Sequence, residues 1–152
     1  MTDLINNDRV IMLKKFKNNI AVKRLLNEHK DLRKICSSLS ISYNEELDKL
    51  SIYIYDKKEL KKENIIEIDI NDSYPFRQPT LLINSQPYER YLMFNDDNIF
   101  LQILQKKFGI KSLYDKSYIN NNNWSPTIKL TNIIIEIREN IEIIEKIKLL
   151  RK

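Results

Sequence analysis

Few side chains in this 152-residue chain could do chemistry, and their spacing limits what that chemistry is. Cys36 is the only cysteine, which excludes an intramolecular disulfide and fits a reducing intracellular compartment, cytoplasmic or nuclear. His29 is the only histidine. A metal site needs several converging ligands, and no Cys/His spacing supplies them, so no metal or other cofactor is expected and His29 reads as a packed or partly exposed helix residue. Lysines cluster as Lys14-Lys15-Phe16-Lys17, Lys57-Lys58, Lys61-Lys62 and Lys106-Lys107, on a chain of 26 basic and 21 acidic residues with net charge +5. A phosphate-binding stripe would need such clusters. Dispersed as they are, they read as solvated surface, and composition alone does not imply nucleic acid.

The remaining candidates are two stretches, Tyr74-Pro75-Phe76-Arg77-Gln78-Pro79 and Trp124-Ser125-Pro126, which hold three of the four prolines and the only tryptophan. Proline fixes its own φ and restricts the residue before it, so Tyr74 and Gln78 are expected to be extended and the first stretch a rigid, rod-like turn. An exposed aromatic on a rigid turn makes a small binding hot spot, because little entropy is lost on docking. The alternative is that Phe76 and Trp124 pack the turn against the sheet. For Trp124 packing is the expected role, and for Phe76 both stay open.

These stretches need elements to hold them. Residues 1–7 are acidic and polar, so neither a signal peptide nor a membrane span is expected there. Val10, Ile11, Leu13 and Phe16 predict a short helix over 8–17, within an N-terminal extension of residues 1–18. A single domain of residues 19–152 follows. Ala21, Leu25, Leu32 and Ile35, with Val22, Leu26 and His29, form the apolar stripe of a helix over 20–35. Alternation at Leu39, Ile41 and Tyr43, at Leu50, Ile52 and Ile54, and at Ile66, Ile68 and Ile70 predicts three antiparallel strands with one wet face. Thr80-Leu81-Leu82-Ile83 makes a fourth. A helix is expected over about 97–107, capped by Asn95-Asp96-Asp97 and ended by Gly109 in a left-handed conformation. Residues 112–123 read as an irregular loop with a polyasparagine end. Leu130, Ile133, Ile134, Ile137, Ile141, Ile144 and Ile147 predict a long helix over 129–150, against a strand reading of 131–137 that its β-branched residues would allow.

In this order the elements and motifs resemble the ubiquitin-conjugating enzymes. Lys23-Arg24-Leu25, Glu28, Asp31 and Leu32 look like that family's first helix. The stretch from Tyr74 to Pro79 is similar to its Tyr-Pro-Phe-Lys-Pro-Pro, with Gln78 replacing the first of the paired prolines. Trp124-Ser125-Pro126 and the isoleucines behind it resemble its Trp-Ser-Pro and the apolar helix that follows. The match covers residues 20–150. It implies an α+β, UBC-like fold: an N-terminal helix, a four-stranded antiparallel meander, an irregular active-site region with an inserted short helix at about 88–123, and a long helix across the sheet.

The family's transferable chemistry is a thioester on a cysteine that accepts ubiquitin and passes it to a lysine. Gly109-Ile110-Lys111-Ser112-Leu113 fits the Gly-x-x-Cys-Leu stretch with Ser112 in the cysteine's place. A second register, Ile99-Phe100-Leu101-Gln102-Ile103-Leu104, puts Phe100 there. Gln86-Pro87-Tyr88 stands near the family's His-Pro-Asn triplet without its asparagine, and Cys36, at the end of the first helix, is no substitute. A serine hydroxyl needs a general base, and only Asp115 is near. The resemblance therefore implies a catalytically inactive, conjugating-enzyme-like binding module. Its docking face would be Phe76, Ser125, Pro126, Lys23 and Arg24 on a scaffold of Tyr74, Pro75, Pro79 and Trp124. Its partners would be ubiquitin or a ubiquitin-like protein, a catalytic conjugating enzyme, or a ligase. Two alternatives stand beside it: an active enzyme using Ser112, and an RWD-type interaction scaffold, whose Tyr-Pro-x-x-x-Pro signature is also present at 74–79. The long stretch at 88–123 also resembles conjugating-enzyme-like proteins of large DNA viruses.

Overall fold

The computed structural model describes residues 19–35, 39–45, 50–56, 64–71, 73–93 and 97–151. The helix expected over 8–17 and Cys36 lie outside them. Helix α1 (Asn19–Ile35) buries Ala21, Val22, Leu25 and Leu32 as the stripe requires, together with Glu28 and His29. Burial, and then the nearby Arg33, hold the His29 imidazole below its ordinary value.

Strands β1 (Leu39–Glu45), β2 (Leu50–Asp56), β3 (Asn64–Ile70) and β4 (Thr80–Ile83) pair as the expected antiparallel meander. The register lines up Ile52, Ile68 and Leu81 in one row and Ile54, Ile66 and Ile83 in the next, and all six are buried. Period-two patterning thus sets both register and core face. The opposite face is drier than its alternation predicts: Ser51 and Asp69 face each other across β2 and β3, both buried, and Ser51 Oγ donates to Asp69 Oδ1 at 2.8 Å. Their mutual bond offsets part of the cost of that burial.

The sheet is one short strand wider than expected. Asn84 and Ser85 take positive φ, 51° and 68°, and turn the chain into β5 (Gln86–Pro87), which pairs with β4. Asn84 fits because it tolerates this region and its Oδ1 accepts from Ile65 N at 2.8 Å. Pro87 has no N–H to offer a further strand.

Helices α2 (Tyr88–Met93), α3 (Asn98–Phe108) and α4 (Leu113–Lys116) occupy the region expected to be irregular around one short helix. Asp97 Oδ1 caps α3 by accepting from Phe100 N at 2.8 Å, and Gly109 ends it at φ 69° with its N–H returned to Gln105 O. The Phe100 hydrogen bond and the Arg151 guanidinium at 2.9 Å lower the Asp97 carboxyl. The loop reading of 112–123 is corrected: α4 is a helical turn, and the asparagines after it close turns, with Asn120 O accepting from Asn123 N and Trp124 N.

Helix α5 (Leu130–Leu150) settles the strand alternative at 131–137 in favour of helix. Isoleucine is a weak helix former by a few tenths of a kcal/mol, whereas full burial of one returns roughly 1.5–3 kcal/mol. Six of them here are buried, at 133, 134, 137, 141, 144 and 147. Among the described residues no helix is long and apolar enough to cross a membrane. Because Gly109 sits at positive φ with open space around it, Gly109→Ala should cost about 1 kcal/mol through backbone strain alone, and Gly109→Asn less. Chemical denaturation of the two variants checks this ordering.

Candidate functional site

The proline stretch is curled, which corrects the rod-like geometry expected of it. Phe76 N and Arg77 N both donate to Ser73 O, at 2.8 and 3.1 Å, Tyr74 N reaches back to Asn71 O, and the Tyr74-Pro75 bond is cis. Tyr74 points inward, fully buried, and its hydroxyl donates to Glu28 on α1. Trp124 packs behind the turn: its Nε1 donates to Pro75 O at 3.1 Å and its ring lies 6.4 Å from that of Tyr74, tilted by 46°. Trp124 is half-buried and Phe76 is 59 % exposed.

Glu28 ties this turn to two other parts of the chain. Its Oε1 accepts from Leu130 N, the first residue of α5, at 2.6 Å. Its Oε2 accepts from Tyr74 and lies 3.4 Å from Arg24 Nε, within ion-pair range. Arg24 in turn donates from Nη2 to Ile128 O at 2.9 Å. Burial pushes the Glu28 carboxyl above its ordinary 4.5, with Tyr74, Leu130 and Arg24 pulling it back. The same burial, then the Glu28 charge, raises the Tyr74 phenol.

The five expected docking residues are thus placed differently. Phe76 and Pro126 are exposed, as is Lys23, while Ser125 and Arg24 are half-buried. Ser125 Oγ accepts from Thr127 N at 3.3 Å and lies 2.9 Å from Thr127 Oγ1. Arg24 is turned inward to Glu28 and Ile128. An open cleft of about 610 Å³ runs beside Phe76, with Gln78, Pro87, Tyr88, Ile119 and Trp124 on its walls.

Ser112, which the resemblance would put in the place of a cysteine, is a helix cap. Its Oγ accepts from Asp115 N at 3.3 Å, so Asp115 meets it through the backbone and not through the carboxylate. Phe100, the residue of the other register, is a core side chain, 1 % exposed. Neither position assembles a nucleophile with a base. The polar centre of this region is one the sequence reading missed, Glu136. Its Oε2 accepts from Tyr88 Oη and Ser117 Oγ, both at 2.8 Å, and its Oε1 from Tyr118 N at 2.8 Å. Asn140 Nδ2 donates to Tyr88 Oη at 2.7 Å. Burial first, then the Glu136 charge, raises the Tyr88 phenol well above 10. The available signal was that Asn140 interrupts the isoleucine face of α5, where a polar residue needs a partner.

No family model, no curated protein and no solved structure matches the chain.

Replacing Glu28 tests how far the turn depends on it. Glu28→Ala strands the Tyr74 hydroxyl and the Leu130 N–H, each at about 1–3 kcal/mol, so denaturant melts should show a loss of about 3 kcal/mol, and a smaller one for Glu28→Gln. The raised carboxyl contributes stability that is present below its unfolded value of 4.5 and is lost as pH rises through the folded value. Melts across that window should show this fall in the wild type and not in Glu28→Gln.

Proposed function

We propose that this chain is a ubiquitin-conjugating-enzyme-like interaction module without transfer chemistry of its own. The observation that carries the reading is Phe76: a large apolar side chain left 59 % exposed on a turn whose backbone is pinned from behind by Trp124 and Tyr74. A rigid exposed aromatic loses little entropy on docking and can supply a large part of a small interface. The element order agrees with such a fold, and the motif residues Tyr74, Trp124 and Glu28 touch one another or share partners. Ubiquitin or a ubiquitin-like protein, a catalytic conjugating enzyme or a ligase is the partner class.

The helix-cap role of Ser112 supports the inert reading over the active one. Loss of a cap costs about 0.5–2 kcal/mol, so Ser112→Ala should lower stability modestly and change nothing else. Incubation with activating enzyme, ATP and ubiquitin is expected to give no adduct on this chain. A conjugate stable to thiol, cleaved by alkali and lost in Ser112→Ala would overturn the inert module.

The docking edge has its own test. In a ubiquitin titration followed by amide shifts, the reading expects changes centred on residues 73–79 and 124–126. Phe76→Ala should weaken binding by about 2 kcal/mol while moving stability by less than about 1 kcal/mol, as fits an exposed hot spot. The absence of any shift at millimolar ubiquitin would rule out direct ubiquitin binding.

A further inference from the structure

Helix α5 carries a second stripe beside its buried face. Ile135, Glu136, Glu139, Asn140 and Ile143 form one wall of a cavity of about 260 Å³, closed on the other side by α4 and its neighbours, Lys116 among them. This lies just under the ~300 Å³ at which pockets for drug-sized molecules begin, a size suited to a single side chain or a small organic ion. Ile135 is 43 % exposed and Ile143 half-buried, which gives the cavity an apolar strip.

Two of its polar side chains, Asn140 and Glu136, are acceptors held in place beside the donors Lys116 and Asn132. Asn140 is only 7 % exposed. The bond from its Nδ2 to Tyr88 Oη fixes the amide, and Oδ1 has no hydrogen-bond partner among the described residues, so it is left for the cavity that Asn140 lines. Glu136 is fixed by Tyr88, Ser117 and Tyr118; its Oε2 accepts two bonds and its Oε1 only one, which leaves Oε1 an open lone pair. Glu139, exposed at the rim, adds a second carboxylate. Two carboxylates face one ammonium, that of Lys116, so the lining is net negative on a chain whose overall charge is +5.

We propose that this cavity binds a primary alkylammonium group. An ammonium has three donors and no acceptor, which matches Glu136 Oε1, Asn140 Oδ1 and Glu139, while an alkyl stem lies along Ile135 and Ile143. A lysine side chain and a free alkyl diamine present the same chemistry. The inference does not depend on the docking edge at Phe76.

The test is an amide-shift titration with n-butylammonium, with 1-butanol and butyrate as controls of equal chain length. Shifts at Tyr118, Ile135, Glu139 and Ile143 with the ammonium alone are the expected result. Glu139→Gln should weaken binding roughly three- to tenfold, as loss of one charge-assisted contact does. Ile135→Lys, which adds a second ammonium beside that of Lys116 and makes the lining neutral, should abolish binding while the spectrum stays folded, and Phe76→Ala should leave it unchanged. Tighter binding of butane-1,4-diamine than of an acetylated, amidated lysine peptide assigns the site to a free amine, and the reverse assigns it to a protein lysine. No shift with either amine, equal binding of butyrate, or unchanged affinity in both Glu139→Gln and Ile135→Lys overturns the proposal.

Discussion

A carboxylate with 2 % exposure, Glu28, joins the first helix, the proline turn and the start of the last helix. It accepts a phenol from Tyr74 and an amide from Leu130, and a guanidinium from Arg24 stands beside it. Burying a charge is costly unless it is paired and hydrogen-bonded, and each of these three partners comes from a segment that would otherwise have its own polar group to satisfy. The helix N-terminus has unpaired amides by construction, and the inward tyrosine has a hydroxyl with no water to meet. One acid resolves both. The turn then has a fixed back, which is why its outer aromatic can be left in solvent without the backbone giving way.

The same solution appears a second time. Glu136 accepts a phenol from Tyr88, a hydroxyl from Ser117 and a backbone amide from Tyr118, and so holds the segment after α4 against α5. Asn123 adds to this by donating to Asp115 O and Ser117 O at 2.8 and 2.9 Å. The segment between α4 and α5 is therefore ordered largely by side chains that reach backbone groups. Such bonds fix a loop without requiring any periodic pattern.

That difference sets how much could be read in advance. The isoleucine rows of β2 and β3 and the isoleucine face of α5 follow from period alone, and Gly109, the single glycine, stands at positive φ where α3 ends. Ser112, Asn120 and Asn123 act through local hydrogen bonds that leave no periodic trace, so their segment looked structureless. Glu28 was visible only as one letter of a motif, and Glu136 not at all, because a half-buried acid on a helix face is indistinguishable in sequence from a solvated one. For the curled turn, two prolines argued for extension, and the bonds to Ser73 O decided otherwise. The same limit applies to Phe76, whose exposure depends on what stands behind it.

The bond from Leu130 N to Glu28 has a consequence for how local opening would be observed. The first amides of a helix normally exchange with solvent as the end frays. Here the amide at the start of α5 is closed by a residue 102 positions earlier in the chain. Its hydrogen-exchange protection therefore reports the separation of α1 from the start of α5 and not the fraying of one helix. A single amide signal thus becomes a gauge of whether the back of the turn is intact.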